Sequence, residues 1–168
     1  LNANARVTLN QCIIDNIYDA GILALTSSLN ATNCLVSNCG KNIQLINGGN
    51  YQFNHCTVAS FTSSYLSHKE PALFISNNIR QNNTLLTSDI TADFRNCIFW
   101  AETGFVDDEV VTSKQGSTVF SINFQNCLWR VKTTPANTVS SNIVLNQEAV
   151  FARINSQQHC FNFRLNKN

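Results

Sequence analysis

Apolar stretches with a period of two recur along this chain, and five of them are followed or preceded by the same phrase, a polar bend and then a cysteine. The copies are Gln11-Cys12-Ile13-Ile14, Asn33-Cys34-Leu35-Val36, His55-Cys56-Thr57-Val58, Asn96-Cys97-Ile98-Phe99 and Asn126-Cys127-Leu128-Trp129. Their cysteines lie 22, 22, 41 and 30 residues apart, which reads as plain coils followed by coils that carry insertions. Before the later copies, Tyr51-Gln52-Phe53, Ala92-Asp93-Phe94 and Ile122-Asn123-Phe124 alternate so that Phe faces a core and one polar residue faces water. The chain then bends at Asn, a residue that enters the left-handed region at low cost. Cys and the residue two beyond it face inward again. A third stretch, seen in Gly21-Ile22-Leu23-Ala24-Leu25, Asn42-Ile43-Gln44-Leu45-Ile46 and Ala72-Leu73-Phe74-Ile75, completes a coil of three strands and three corners.

This pattern predicts an all-β protein: a single-stranded right-handed parallel β-helix, or solenoid, of about five to six coils with inserted loops, in one domain over residues 1–168. One coil cannot bury its own inward side chains, so neighbours stack about 4.8 Å apart and close the core between them. The expected structural ladder is Cys12, Cys34, Cys56, Cys97 and Cys127, with Asn33, Asn96 and Asn126 bonding along the corner and Gln11 and His55 as its weaker rungs. Helix is a poor competitor, because no window keeps a 3.6-residue apolar period.

Composition sharpens this picture. Hydrophobic residues make up 43% and charged residues only 12%, and the missing polarity comes from Ser, Thr and 25 asparagines, a balance suited to strands joined by tight turns. Eleven Lys and Arg against ten Asp and Glu leave no net field for nucleic acid or an anionic membrane. No apolar stretch is long enough to cross a bilayer, and a chain that starts at Leu1 without Met or a signal segment reads as a mature or excised segment of a longer protein. Seven cysteines cannot all pair within the chain. Structural zinc is disfavoured, since Cys34 and Cys39 lack a matching second pair. Disulfides inside the ladder are disfavoured too, because stacked side chains hold their Cβ atoms too far apart. Buried free thiols are the expectation, with Cys39 and Cys160 outside the ladder and open.

Candidate chemistry falls in the inserted loops, since loops on a rigid scaffold carry function. Residues 61–70 hold Tyr65 and the acid–base types His68, Lys69 and Glu70; residues 77–90 hold Arg80; residues 101–116 hold Glu102, Asp107, Asp108 and Glu109. His68, Lys69 and Glu70 are the catalytic candidates, and Tyr65, Arg80, Trp100 and Glu102 the ligand-binding ones. Asp107, Asp108 and Glu109 are the candidates for Ca²⁺, which wants several oxygens, although they lack the spacing and glycine of a dedicated calcium loop. Polar loops are ordinarily solvated turns, and no second acid–base cluster answers the first. The outward positions of the third stretch, Leu23 or Ala24, Gln44 and Phe74, supply neither a carboxylate nor a base, which argues against a catalytic groove there. Trp129 aligns with core positions, whereas Trp100 is expected to face outward or to lie in the following corner. Asn30-Ala31-Thr32 and Asn82-Asn83-Thr84 match the N-glycosylation pattern.

Asn33-Cys34-Leu35-Val36-Ser37-Asn38-Cys39-Gly40, the segment from Gly48 to Val58, Pro71-Ala72-Leu73-Phe74-Ile75-Ser76-Asn77, Phe94-Arg95-Asn96-Cys97-Ile98-Phe99, Phe124-Gln125-Asn126-Cys127-Leu128 and the closing Phe161-Asn162-Phe163-Arg164-Leu165 resemble uncharacterised right-handed β-helix proteins of the Bacteroidetes cell envelope. The resemblance covers most of the chain, apart from a Ser-Pro-Ala-Ile-Asp-like segment that usually follows the closing phrase in that family. It implies export, an extracellular or outer-membrane location, frequent lipid anchoring and a fold shared with pectate-lyase-like enzymes; it implies no particular activity. Three expectations follow. The first is a non-catalytic exported scaffold that presents loops to a glycan or a cell-surface protein, without a cofactor. The second is a polysaccharide lyase or glycoside hydrolase whose cleft lies between loops 61–70 and 101–116. The third is an assembly subunit or fragment that associates through its coil ends.

Overall fold

A computed structural model describes residues 1–63, 65–104 and 106–166. In chain order the strands are β1 (Arg6–Asn10), β2 (Ile13–Asp15), β3 (Ala20–Thr32), β4 (Leu35–Ser37), β5 (Lys41–Asn54), β6 (Thr57–Ser60), β7 (Leu73–Ser76), β8 (Asn78–Gln81), β9 (Thr84–Thr87), β10 (Ile90–Arg95), β11 (Ile98–Ala101), β12 (Val110–Ser113), β13 (Phe120–Gln125), β14 (Leu128–Trp129), β15 (Thr138–Ser141), β16 (Val144–Leu145), β17 (Phe151–Asn155) and β18 (Cys160–Leu165). The described residues form an all-β structure without helix, dominated by two parallel sheets. The smaller sheet has the order β16-β14-β11-β6-β4-β2. In the larger, β3 and β5 bend midway at Thr26 and Asn47, both at positive φ, and the sheet forks beyond them. The first limb continues as β7 and β12 on the early half of β5, and the second as β10, β13 and β15 on its late half.

The Asn-Cys phrase lies between the second limb and the small sheet, and both flanks are in register. On one side Asn10, Thr32, Asn54, Arg95, Gln125 and Ser141 pair in succession; on the other, Ile13, Leu35, Thr57, Ile98, Leu128 and Val144 do. The five ladder cysteines therefore occupy equivalent places. Each of the later thiols also reaches the rung before it: Cys56 donates to Ala31 O at 3.5 Å, Cys97 to Phe53 O at 3.6 Å and Cys127 to Phe94 O at 3.5 Å. A sixth rung, Asn142-Ile143-Val144, follows only 16 residues after the fifth, with Ile143 packed on the core where the others have Cys.

The corner residues explain why the phrase works. Gln11, Asn33, His55, Asn96, Asn126 and Asn142 all have φ between 53° and 55°, a conformation that disfavours most side chains with a Cβ. Asn relieves the cost with local hydrogen bonds, and here the amides also bond along the stack: Asn96 Nδ2 donates to Asn54 Oδ1 (3.0 Å), Asn126 to Asn96 (3.3 Å) and Asn142 to Asn126 (3.1 Å). Gln11 and His55 hold the same backbone turn with a less suitable side chain. Asn16 and Asn38 repeat the left-handed turn at the exit of the small sheet, and Cys39 follows there into the main core. The bend after β5's first half needs glycine, because a Cβ on Gly49 (φ 122°) would come within 2.2 Å of Ser27 O.

Inside, Phe53, Phe94 and Phe124 stack with centroids 5.1 and 4.7 Å apart, flanked by Val58, Phe99 and Trp129 on the facing sheet. Of the uncertain outward pair it is Leu23 that faces solvent, while Ala24 is buried. The 77–90 insertion contains the hairpin β8–β9, whose turn residues Asn82 and Asn83 both have positive φ, as a type I′ turn requires. A second hairpin, β17–β18, lies on the outer face of the small sheet. There Phe151, Ala149 and Phe163 pack over Ala59 and Trp100. Trp100 does sit at an outward position, yet it is only 8% exposed, because the hairpin covers it.

All seven cysteines are free; five are buried and Cys12 and Cys160 are half-buried. Burial raises the pKa of Cys34 and Cys39. Cys97 is raised by hydrogen bonding with the thiols of Cys127 and Cys56 and by burial; the bond with Cys97 lowers Cys127, and lowers Cys56 to about 7. Access governs reactivity, since the thiolate must meet its reagent. In native protein at pH 8 a thiol reagent is expected to modify Cys12 and Cys160 rapidly and the other five only after denaturation; rapid native labelling of Cys56 or Cys97 contradicts the buried ladder. Asn126→Ala should lower the unfolding free energy by about 1–2 kcal/mol, and Asn126→Gly by less, as measured by urea denaturation. Equal losses would show that the left-handed backbone is not what the position demands.

Candidate functional site

The exit of the small sheet is where the loops gather. After Ser60 and Ala101 the chain makes long excursions before re-entering the first limb at Leu73 and Val110. The two excursions are tied together, Thr62 N donating to a Glu102 carboxylate oxygen at 2.5 Å. Within the first, Ser63 Oγ accepts from the amides of Tyr65 and Leu66, and Thr62 Oγ1 accepts from His68 N at 3.1 Å, which folds the loop inward and buries His68.

Glu109 lies at the bottom of this corner and is 0% exposed. Its Oε2 accepts from Ala72 N at 3.1 Å; its Oε1 accepts from Arg130 Nη2 at 2.6 Å and meets His68 Nε2 at 3.0 Å. As a carboxylate Glu109 only accepts, so the contact with His68 places a proton on that ring nitrogen. Arg130 Nη2 also donates to the carbonyls of Glu102 (3.0 Å) and Val106 (2.8 Å), closing the second excursion over itself. The buried Nε of Arg130 has no partner among the described residues. Glu109 stands one residue before β12, in register with Ala72 and Asn42. Asn42 does related work two strands away, where Oδ1 accepts from Cys39 N and Nδ2 donates to Ala59 O and Ser60 Oγ. Pinning backbone is thus the first role of this cluster. A buried charge of this kind is tolerable only when its partners are present.

Beside the sealed cluster opens a cleft of about 660 Å³. Phe61 and Trp100 form its apolar wall, and Glu102, Asp107, Arg130, Lys132 and Glu148 bring charge to it. Lys132 and Asp107 pair across solvent at 2.9 Å, an exposed contact of little energetic weight. The arrangement offers hydrogen-bonding groups around an apolar patch, the general form of a small-ligand or sugar site. Its acid–base cluster, in contrast, is occupied internally.

The expected site residues separate accordingly. Trp100, Glu102 and Asp107 share the cleft, while His68 and Glu109 lie buried behind it. Lys69 and Glu70 are exposed and do not join His68. Tyr65 is 63% exposed and meets the edge of Tyr18 at 6.4 Å. Arg80 projects from β8 on the other hairpin. The proposed calcium ligands diverge: Asp107 faces Lys132, Asp108 accepts from the amides of Lys132 (2.6 Å) and Thr133 (2.8 Å), and Glu109 points inward. No three His, Cys, Asp or Glu are grouped to hold a metal among the described residues. Sequence reasoning passed over Arg130, Lys132, Glu148 and Phe61. Arg130 carried one usable signal, its position directly after Trp129, equivalent to Trp100 after Phe99.

Comparison with known proteins found no matching family model, no matching curated protein and no matching solved structure.

Glu109→Ala strands Arg130 and His68 and is expected to cost about 3–5 kcal/mol of stability, whereas Asp107→Ala should change it by less than about 1 kcal/mol. Parallel denaturant titrations test the pair; similar small effects would remove Glu109 from its pinning role.

Proposed function

We propose that this chain is the right-handed parallel β-helix segment of an exported cell-envelope protein, a non-catalytic scaffold whose loop-lined cleft binds a glycan. The β-helix reading is supported by the repeated order of second limb, corner and small sheet, and by the register kept across six rungs. The single observation that carries the functional reading is that Glu109, 0% exposed, engages both His68 and Arg130 beneath the surface. Proton transfer to a substrate needs a group within hydrogen-bond reach of it, and His68 and Glu109 lie buried behind the cleft, with Arg130 alone of the three reaching its lining. What the cleft leaves accessible is Glu148, Lys132 and the edge of an aromatic wall, groups that hold sugar hydroxyls and ring faces. Export accords with the resemblance to envelope proteins and with a polar, Asn-rich surface.

A glycan array probed with the protein should show binding without turnover. Lys132→Ala and Glu148→Ala should each weaken it about five- to tenfold, equivalent to about 1–1.4 kcal/mol, with the melting temperature unchanged. New reducing ends or unsaturated products that vanish in Glu102→Gln or Glu148→Gln would establish the lyase or hydrolase reading instead. Binding to a protein with no glycan bound would replace the ligand class.

The assembly reading has its own support. At the β1–β2 edge the inward side chains Val7, Leu9, Cys12 and Ile14 are only partly covered, and Ile13 is 74% exposed. An edge of this kind pairs readily with further strands. Light scattering over a concentration series tests it, with growth of the scattering mass expected and a constant monomer mass against it.

A further inference from the structure

The insertions are distributed unevenly around the chain's path. Residues 61–72, 77–89, 102–109, 114–119 and 130–137 all leave from the end of the small sheet or of the first limb. The connection from the second limb to the small sheet is two residues long at every one of the six rungs, from Gln11-Cys12 to Asn142-Ile143. The outward face of the second limb is therefore an uninterrupted array. Its central row is Thr8, Asn30, Gln52, Asp93, Asn123 and, at the last rung, Val139, each in register with the next. The rows on either side hold hydroxyls and amides, with Arg6 and Arg95 as the cations.

The other two outward faces differ in kind. The small sheet turns Ile13, Leu35, Ile98 and Leu128 outward and is partly covered by the β17–β18 hairpin, while the first limb presents Leu23 and Phe74. In the polar array, Asn123 and Asp93 bond each other at 3.1 Å. The amides of Asn30 and Gln52 are left to solvent. Two adjoining troughs of about 430 and 280 Å³ run over these rungs and share Asn30 and Gln52.

We propose that this face is a second binding surface, for a linear neutral polysaccharide laid across the strands with about one sugar unit per rung. Rungs repeat every 4.8 Å or so, close to the advance of one pyranose unit in an extended β-linked chain. A carboxamide donates and accepts at once, which suits pairs of sugar hydroxyls. Arg6 and Arg95 against Asp93 leave the face a single net positive charge, too little to hold a polyanion along six rungs, and with so few apolar side chains it lacks the buried core that a protein partner would need. The inference goes beyond the loop-lined cleft and stands on different residues.

Affinity electrophoresis through gels containing a linear neutral β-glucan or, separately, a polyuronate tests it, with the whole chain as the mobile species. The wild type should be retarded by the neutral polymer and not by the polyuronate. Soluble oligomers should compete more strongly as their length grows to five or six units. The double variant Asn30→Asp/Gln52→Glu, isosteric and on the surface, should lose at least tenfold in affinity with its circular dichroism unchanged, whereas Lys69→Ala, exposed and outside both surfaces, should retain full retardation. Absence of retardation by the neutral polymer, equal retardation by the polyuronate, or loss through Lys132→Ala with the double variant intact would each overturn the proposal.

Discussion

Six consecutive left-handed corners constrain everything else in this protein. Each turns the chain from the second limb of the large sheet into the small sheet within two residues, and all share φ values of 53–55°. A left-handed residue with a Cβ is costly, and Asn is the common side chain that offsets the cost by hydrogen bonding locally. Once the corner is set, alternation does the rest. The residue after it, Cys in five rungs and Ile143 in the sixth, enters the core, and in the first five rungs so does the residue two further on. The small, soft thiol fills the tight inner angle of the corner, and the larger Val, Phe and Trp fill the broader space beyond.

Regularity at that corner frees the others. Because the strands on both sides are held in register, connections elsewhere lengthen without disturbing the stack, and loop closure grows costlier only slowly with length. The exit of the small sheet uses this freedom most, and there the price of irregular backbone is met by buried polar side chains. Asn42 holds one exit from the small sheet with a neutral amide, and Glu109, with Arg130 and His68, holds a later one with charge. A cluster of chemically capable residues is consequently spent on architecture. The neighbouring cleft inherits a rigid floor and keeps its accessible polar groups for binding.

Much of this was legible in the sequence because its cause is local. The Asn-Cys phrase announces the corner, and the alternation of Tyr51-Gln52-Phe53 and its counterparts announces which side chains face inward. The sixth rung escaped because it has no cysteine and a shorter interval, although Asn142 kept the backbone signature. Val110–Ser113 escaped as a strand of the first limb because acidic residues precede it and drew attention as a loop. Alternation leaves Trp100 either outward or in the following corner; it takes the outward position, and its burial there depends on a hairpin some 50 residues later in the chain, which no periodicity encodes. The His68–Glu109–Arg130 cluster was invisible for the same reason, since its members are 41 and 21 residues apart and meet only when two insertions fold together.

The central claim is that the five ladder thiols mark equivalent points on successive turns. A sulfur anomalous-scattering map from crystals of the protein tests it most directly. Five peaks in one row, with a spacing of about 4.8 Å and with Cys39 and Cys160 off the line, are the expected result; peaks scattered through the molecule would contradict the account.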